Sequence, residues 1–96
     1  MLKHVVLLTF RPEVDDEYVT TVSTELEALR GAVPEIVRLD FGRDLGISTG
    51  NADFAVAAEF QNAEDFAAYL AHPAHLKVGD LLKQGVQSKS GIQFEI

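Results

Sequence analysis

The opening segment, residues 2–10, constrains the fold most strongly, because apolar residues occur there at odd and even positions alike. Successive residues of a strand point to opposite sides. One face would carry Leu2, His4, Val6, Leu8 and Phe10, and the other Lys3, Val5, Leu7 and Thr9. A strand with two largely apolar faces needs cover on both sides, from helices or from a second sheet.

A helical pattern follows this strand. Asp15 can cap a helix, and Asp16 and Glu17 suit its positive N-terminal end. Gly31 can take the left-handed conformation that stops a helix. The apolar residues recur at helical spacing: Val14, Tyr18, Val22, Leu26 and Leu29.

The remaining pattern predicts three strands and a second helical region. Asn62 can cap a short helix that ends near Ala71, and Pro73 can open a further helical turn towards Lys83 and Gly85. The predicted strands are residues 35–41, 54–60 and 86–96, with a loop over residues 42–51. The order β-α-β-β-α-β predicts an α+β, ferredoxin-like unit over residues 1–96, a single domain with its helices on one face of an antiparallel sheet.

The other sheet face would be bare. Val5, Leu7 and one side of residues 54–60 would be exposed there. Face-to-face pairing of two such sheets would bury them, so we expect a homodimer through the sheet face.

Composition excludes several classes of function. A length of 96 residues allows one core, and 8 basic against 15 acidic residues disfavour nucleic acid and anionic lipid as partners. Without cysteine there is no disulfide, thiolate nucleophile or cysteine-based zinc site. The opening apolar run is too short for a membrane span and lacks a signal cleavage site, which makes a cytoplasmic location the default expectation.

The candidate chemistry lies in residues 69–75. A helix break at Pro73 would let Tyr69 and His75 face a common space, which His4 joins if it points towards the helices. An imidazole beside a phenol can act as an acid/base pair without a cofactor. Alternatively, both side chains satisfy local backbone groups.

A metal site is the second possibility. His72 and His75 have the spacing i, i+3, but no cysteine and no HExxH motif accompanies them. His72 is better explained as a cap before Pro73, so we expect no metal. No phosphate-binding glycine loop or GxSxG motif occurs either.

Several motifs resemble those of one known family. They are Lys3-His4-Val5-Val6-Leu7-Leu8-x-Phe10, Pro34, Phe41-Gly42-Arg43-Asp44, Phe60 and Tyr69-x-x-His72-Pro73-x-His75. The chain resembles the stress-responsive A/B-barrel domain (Dabb) family over nearly its whole length. The resemblance implies a ferredoxin-like monomer that dimerises through its sheets into an α+β barrel.

The family includes polyketide cyclases of the olivetolic acid cyclase type, which perform an aldol condensation without a cofactor. By this resemblance His75 would abstract a proton next to carbonyl groups, and Tyr69 would orient the substrate and stabilise the enolate. A hydrophobic β-dicarbonyl or polyketide-like substrate is implied. The implied substrate-binding residues are His4, Val6, Leu8, Leu26, Phe54, Phe66 and Val78.

Two other functions stay open. Phe54 stands where the cyclases have a histidine, and the chain has no tryptophan. The cavity could instead serve a non-catalytic stress-response or small-molecule-binding protein. Small dimeric ferredoxin-like barrels also host cofactor-free monooxygenases.

Overall fold

Four antiparallel strands and three helices make up the computed structural model, which describes residues 1–96. The strand order in the sheet is β2-β3-β1-β4. The predicted ferredoxin-like arrangement is confirmed, with the second helical region divided in two. The elements are β1 (Leu2–Phe10), α1 (Asp16–Ala32), β2 (Arg38–Arg43), β3 (Phe54–Phe60), α2 (Ala63–Ala71), α3 (Pro73–Lys83) and β4 (Val86–Glu95).

The core lies between the helices and one face of the sheet, which we call the inner face. Alternate residues of β1 and β3 point towards the helices, as the period of a strand requires. His4 is the one polar residue among the buried ones, with 8% of its surface exposed. The largest fully buried side chains are Phe54, Phe60, Leu8, Leu26, Leu29, Leu39, Val22 and Val33.

The predicted helix starts are confirmed by their capping bonds. The Asp15 carboxylate accepts from the Tyr18 backbone N–H at 2.9 Å. The Asn62 side chain accepts from the Asp65 backbone N–H at 2.8 Å. Each bond satisfies a donor that the first helical turn would otherwise leave without a partner.

The predicted end of α1 and both predicted bounds of β2 are wrong. Helix α1 continues through Gly31 to Ala32, and Val33 ends it in an extended conformation (φ −115°, ψ 98°). Pro34 disfavours helical geometry at the residue before it, so no left-handed glycine is needed.

Strand β2 begins at Arg38 rather than at Glu35 and continues to Arg43, two residues into the predicted loop. The reason is a turn after α1, in which the Ile36 backbone N–H bonds back to the Val33 carbonyl at 3.3 Å.

The outer face, which is the sheet face opposite the helices, carries exposed apolar side chains. Leu7 is 44% exposed, Ile92 58% and Phe94 46%. Ile92 pairs with Val5 across β4 and β1, so these side chains share one face. None of the three helices combines the length and the apolar character that a membrane span requires.

Candidate functional site

A break between α2 and α3 brings Tyr69 and His75 together. Helix α2 ends at Ala71, His72 is extended, and α3 begins at Pro73. The pyrrolidine ring of Pro73 excludes helical geometry at His72, so the chain must change direction there. The Tyr69 and His75 rings then lie with their centroids 4.3 Å apart at an interplanar angle of 50°.

His4 joins this pair from the centre of the sheet. Its ring lies 4.8 Å from that of Phe66 and 6.3 Å from that of Tyr69, centroid to centroid. Its Nδ1 atom is 2.8 Å from Nε2 of Gln93, the residue paired with it on β4. The structure therefore brings His4, Tyr69 and His75 together, and we call these three residues the imidazole site.

The hydrogen bonds of the two imidazoles define where each neutral ring carries its proton. Nδ1 of His75 lies 3.2 Å from the Leu70 carbonyl oxygen, which can only accept. Nδ1 of His75 is therefore the donor, and its Nε2 atom keeps a free lone pair. The Gln93 amide nitrogen can only donate, so Nδ1 of His4 accepts and the proton of neutral His4 sits on Nε2.

The surroundings keep all three groups uncharged at neutral pH. Burial lowers the pKa of His4, and the positive charges of protonated His75 and of Lys89 lower it further. Burial lowers the pKa of His75 despite its bond to Leu70, and Lys89 contributes in the same direction. Burial raises the pKa of Tyr69 to about 12. The site thus offers one imidazole base and two neutral donors.

The Tyr69 hydroxyl has no hydrogen-bond partner within the protein, although the residue is only 2% exposed. No fully buried side-chain nitrogen or oxygen lacks a partner in this structure, so the Tyr69 oxygen must reach accessible space. The hydroxyl is therefore free to bond to a ligand.

The residues that the family resemblance adds to the site fall into two groups. Phe66 packs against the imidazole site, and Val6 is partly buried two residues beyond His4. The other four are buried in the core and pack against other core side chains: Leu8, Leu26, Phe54 and Val78. The structure brings only part of the set to the imidazole site, and the binding role of these six residues and of His4 stays a prediction.

Strand β4 contributes residues that the sequence motifs do not indicate. The register pairs Gln93 with His4, Gly91 with Val6 and Lys89 with Leu8, which places all three β4 residues on the inner face. The alternation of β4, combined with its pairing to β1, is the signal that could have indicated them. A cavity of about 370 Å³ adjoins this face, with Leu8, Gly79, Leu82, Val86 and Lys89 in its wall.

His72 does not join the imidazole site as a ligand. Its Nδ1 atom accepts from the Ala74 backbone N–H at 3.0 Å, as the predicted cap of α3. The structure contains no group of three or more His, Cys, Asp or Glu side chains that could hold a metal ion.

Comparisons with known proteins place the chain in a family. A family model described as the stress responsive A/B barrel domain (Dabb) matches residues 2–95. A dimeric ferredoxin-like protein of unknown function from Thermobifida fusca is 33% identical, with a TM-score of 0.94 and coverage of 99% of this chain and 90% of that one. No curated protein matches the chain in sequence.

Two enzymes share the fold at lower identity. The hydroxynitrile lyase from Passiflora edulis is 16% identical, with a TM-score of 0.88 and coverage of 99% of this chain and 92% of that one. An antibiotic biosynthesis monooxygenase is also 16% identical, with a TM-score of 0.82 and coverage of 100% and 98%. At this identity the likeness shows the fold alone.

Proposed function

The chain belongs to the stress responsive A/B barrel (Dabb) family, and from this premise we propose that it is a cofactor-independent enzyme of the cyclase or aldol type. The substrate is a hydrophobic compound whose reacting carbon lies beside carbonyl groups. The observation that carries the proposal is the contact between Tyr69 and His75, whose ring centroids are 4.3 Å apart. Nε2 of His75 is free to accept a proton, and the Tyr69 hydroxyl is free to donate a hydrogen bond.

The first step is removal of a proton from carbon. Nε2 of His75 takes the proton, and the electron pair of the broken C–H bond moves into the enolate. The Tyr69 hydroxyl donates a hydrogen bond to the enolate oxygen, where negative charge develops, and Nε2–H of His4 is a second donor. Two flanking carbonyl groups make such a proton acidic enough for an imidazole base.

The second step forms the ring. The enolate carbon attacks another carbonyl group of the same molecule, a carbon–carbon bond forms, and the new alkoxide takes back a proton from His75. No electrons are gained or lost overall, so the step needs no redox cofactor. The partly buried ring of Phe66, which stacks beside Tyr69, offers an apolar surface for the rest of the substrate.

Proton exchange into D2O tests the assignment of His75. Wild-type protein and a His75→Gln variant are incubated with β-diketones such as benzoylacetone and with linear triketide mimics, with NMR for exchange and mass spectrometry for cyclised products. General-base catalysis contributes about 10²- to 10⁴-fold, so His75→Gln should lower the rate by at least about 100-fold with an unchanged melting temperature.

A matched control is His72→Asn, because asparagine also caps helices but carries no imidazole. This variant should keep the exchange rate. Equal rates in wild type and His75→Gln would refute His75 as the base. Ligand binding without exchange would favour the non-catalytic binding protein, and oxygen uptake with a quinol would favour the monooxygenase.

We also propose that the outer face is the surface through which two chains form a homodimer. The Thermobifida fusca relative is dimeric, and Leu7, Ile92 and Phe94 are exposed on the outer face here. Pairing two such faces removes these side chains from water, at roughly 25 cal/mol per Å² of apolar surface.

A charge at the centre of the outer face tests the dimer. Leu7→Asp would bury a carboxylate in the interface, so it should shift sedimentation towards the monomer. The control is Thr20→Asp on the exposed side of α1, which should leave the protein dimeric. Circular dichroism separates monomer from unfolded chain, and a folded Leu7→Asp dimer would contradict the proposed interface.

A further inference from the structure

The cavity between α3 and β4 lies along the same helix and the same strand as the imidazole site. His75, Gly79 and Leu82 follow one another on one side of α3, and Gly79 lies one turn, about 6 Å, beyond His75. Opposite them, Gln93, Gly91 and Lys89 follow one another on the inner face of β4. We call the space between these two rows of residues the groove, with the imidazole site at one end and Lys89 at the other.

Two glycines leave the middle of the groove open. A Cβ atom added to Gly79 would meet nothing within 4 Å. One added to Gly91 would meet only ordinary contacts, at 3.8 Å from the Val5 carbonyl oxygen and from a Val6 methyl group. Packing requires neither glycine, and both leave room for a ligand between α3 and β4.

Lys89 is the only lysine without a carboxylate partner. Lys77 pairs with Glu25 at 3.4 Å, and Lys83 pairs with Asp80 at 3.8 Å. The fourth lysine, at position 3, also has a glutamate within 3.7 Å. In a chain with 15 acidic residues, the lysine that faces the groove keeps its charge unbalanced.

We propose that this groove binds a keto acid, with the substrate carboxylate on the Lys89 ammonium group and the ketone in the imidazole site. The inference rests on the proposed function for the ketone end and adds the carboxylate as a feature of the substrate. A volume of about 370 Å³ for the cavity lies within the usual range of ligand pockets, roughly 300–1,000 Å³.

The charges favour a single carboxylate over a polyanion. Two lysines line the cavity, but Lys83 is paired with Asp80, so Lys89 alone supplies an unbalanced positive charge, and no arginine lies beside it. The formal net charge of −7 repels polyanions such as polyphosphates. The partly buried apolar side chains Leu82 and Val86 in the same wall suit an aryl or alkyl body.

Lys89 also connects substrate binding to the strength of the base. Its positive charge lowers the pKa of both His4 and His75. A bound carboxylate would offset that charge, so the His75 pKa should rise when the acid binds. The base would then be stronger in the complex than in the free protein.

Paired probes that differ only in charge test the inference. Titration calorimetry compares 4-acetylbenzoate with 4-acetylbenzamide, and levulinate with levulinamide. Wild-type protein should bind the acid of each pair about 10-fold more tightly, which corresponds to about 1.4 kcal/mol. This preference should weaken at high salt, because the groove is open to solvent.

The variants assign the preference to Lys89. Lys89→Met should abolish the acid preference and leave amide binding unchanged, whereas Lys89→Arg should retain it. Lys83→Met is the matched control, because Lys83 borders the same cavity but is paired with Asp80. Absence of an acid preference in both pairs, or a preference that survives Lys89→Met, would overturn the inference.

The two proposals can fail separately. Proton exchange of a neutral β-diketone such as benzoylacetone reports on the imidazole site without the contact to Lys89. An acid preference without any proton exchange would overturn the proposed chemistry and keep the carboxylate site. Proton exchange without an acid preference would overturn the carboxylate site and keep the proposed chemistry. The His75 pKa, followed by NMR, should rise with the acid and not with the amide.

Discussion

Two tyrosines lie between the helices and the sheet, and the protein uses them in different ways. Tyr18 donates its hydroxyl proton to the Leu81 carbonyl at 2.7 Å, and its ring packs edge-on against Phe10. Tyr69 packs against aromatic rings on several sides but has no bond for its hydroxyl. A phenol that ties two elements together is structural, whereas a phenol with a free hydroxyl at the inner face can act on a ligand.

The glycines near the two tyrosines differ in how tightly they are packed. We call the surroundings of Tyr18 the closed end and those of Tyr69 the open end. At the closed end, a Cβ atom on Gly85 would lie 2.5 Å from the Tyr18 ring. Towards the open end, Gly79 has nothing within 4 Å of that position. The first glycine is required by packing, and the second leaves a space.

The largest expected effect on stability is that of Gly85→Ala. The new methyl group must displace a ring held by both Phe10 and the Leu81 carbonyl, so urea unfolding should show a loss of about 1–3 kcal/mol. In a Tyr18→Ala background the same change should cost much less. Additive costs would contradict the packing explanation.

Gly79→Ala, towards the open end, is the change matched to Gly85→Ala at the closed end. Alanine is preferred over glycine inside a helix by roughly 1 kcal/mol, and no contact opposes it here. This variant should be slightly more stable than wild type. A loss of stability comparable with that of Gly85→Ala would remove the distinction between the two ends.

The tyrosines themselves should respond in opposite ways to removal of the hydroxyl. Tyr18→Phe loses an intramolecular hydrogen bond and should cost about 1 kcal/mol in unfolding, with little effect on proton exchange. Tyr69→Phe loses no such bond and should keep its stability, but should lower the exchange rate by at least about 10-fold. Equal stability losses would show that the Tyr69 hydroxyl has a structural partner after all.

The smallest expected effect is on the pH dependence of stability. The pKa values of His4 and His75 in the folded protein lie below the ordinary value of 6.5. The unfolded chain therefore binds more protons below that pH, and stability should fall as the pH decreases through 6.5. Urea unfolding between about pH 7 and pH 5.5 should show this fall in wild type and less of it in His4→Gln/His75→Gln. An identical dependence of the unfolding free energy on pH in wild type and variant would contradict the lowered pKa values of His4 and His75.

The fold was largely predictable because its signals are local. Asp15 and Asn62 indicate helix starts, Pro73 indicates the break, and alternation over residues 54–60 predicts β3 with its observed bounds. The end of α1 was missed because Pro34 acts through the conformation of Val33, while Gly31 offered a competing signal. The start of β2 was missed because the turn at Ile36 is apolar.

The site was predictable only in part, because some of its contacts join residues far apart in sequence. Tyr69 and His75 lie six positions apart, so a helix break suffices to bring them together. Gln93 and Lys89 reach His4 and Leu8 only through strand pairing across more than 80 positions. The burial of Leu26 and Phe54 in the core depends on how tightly the helices pack against the inner face of the sheet, which no local pattern gives.

The break at Pro73 also determines which nitrogen of His75 carries the proton. In a continuous helix the Ala74 N–H would bond to the Leu70 carbonyl, but here it bonds to the His72 ring instead. The Leu70 carbonyl is then available to His75 Nδ1. The restriction that Pro73 places on the backbone thus selects the tautomer of His75, two residues later. It leaves the lone pair of His75 Nε2 free to accept a proton.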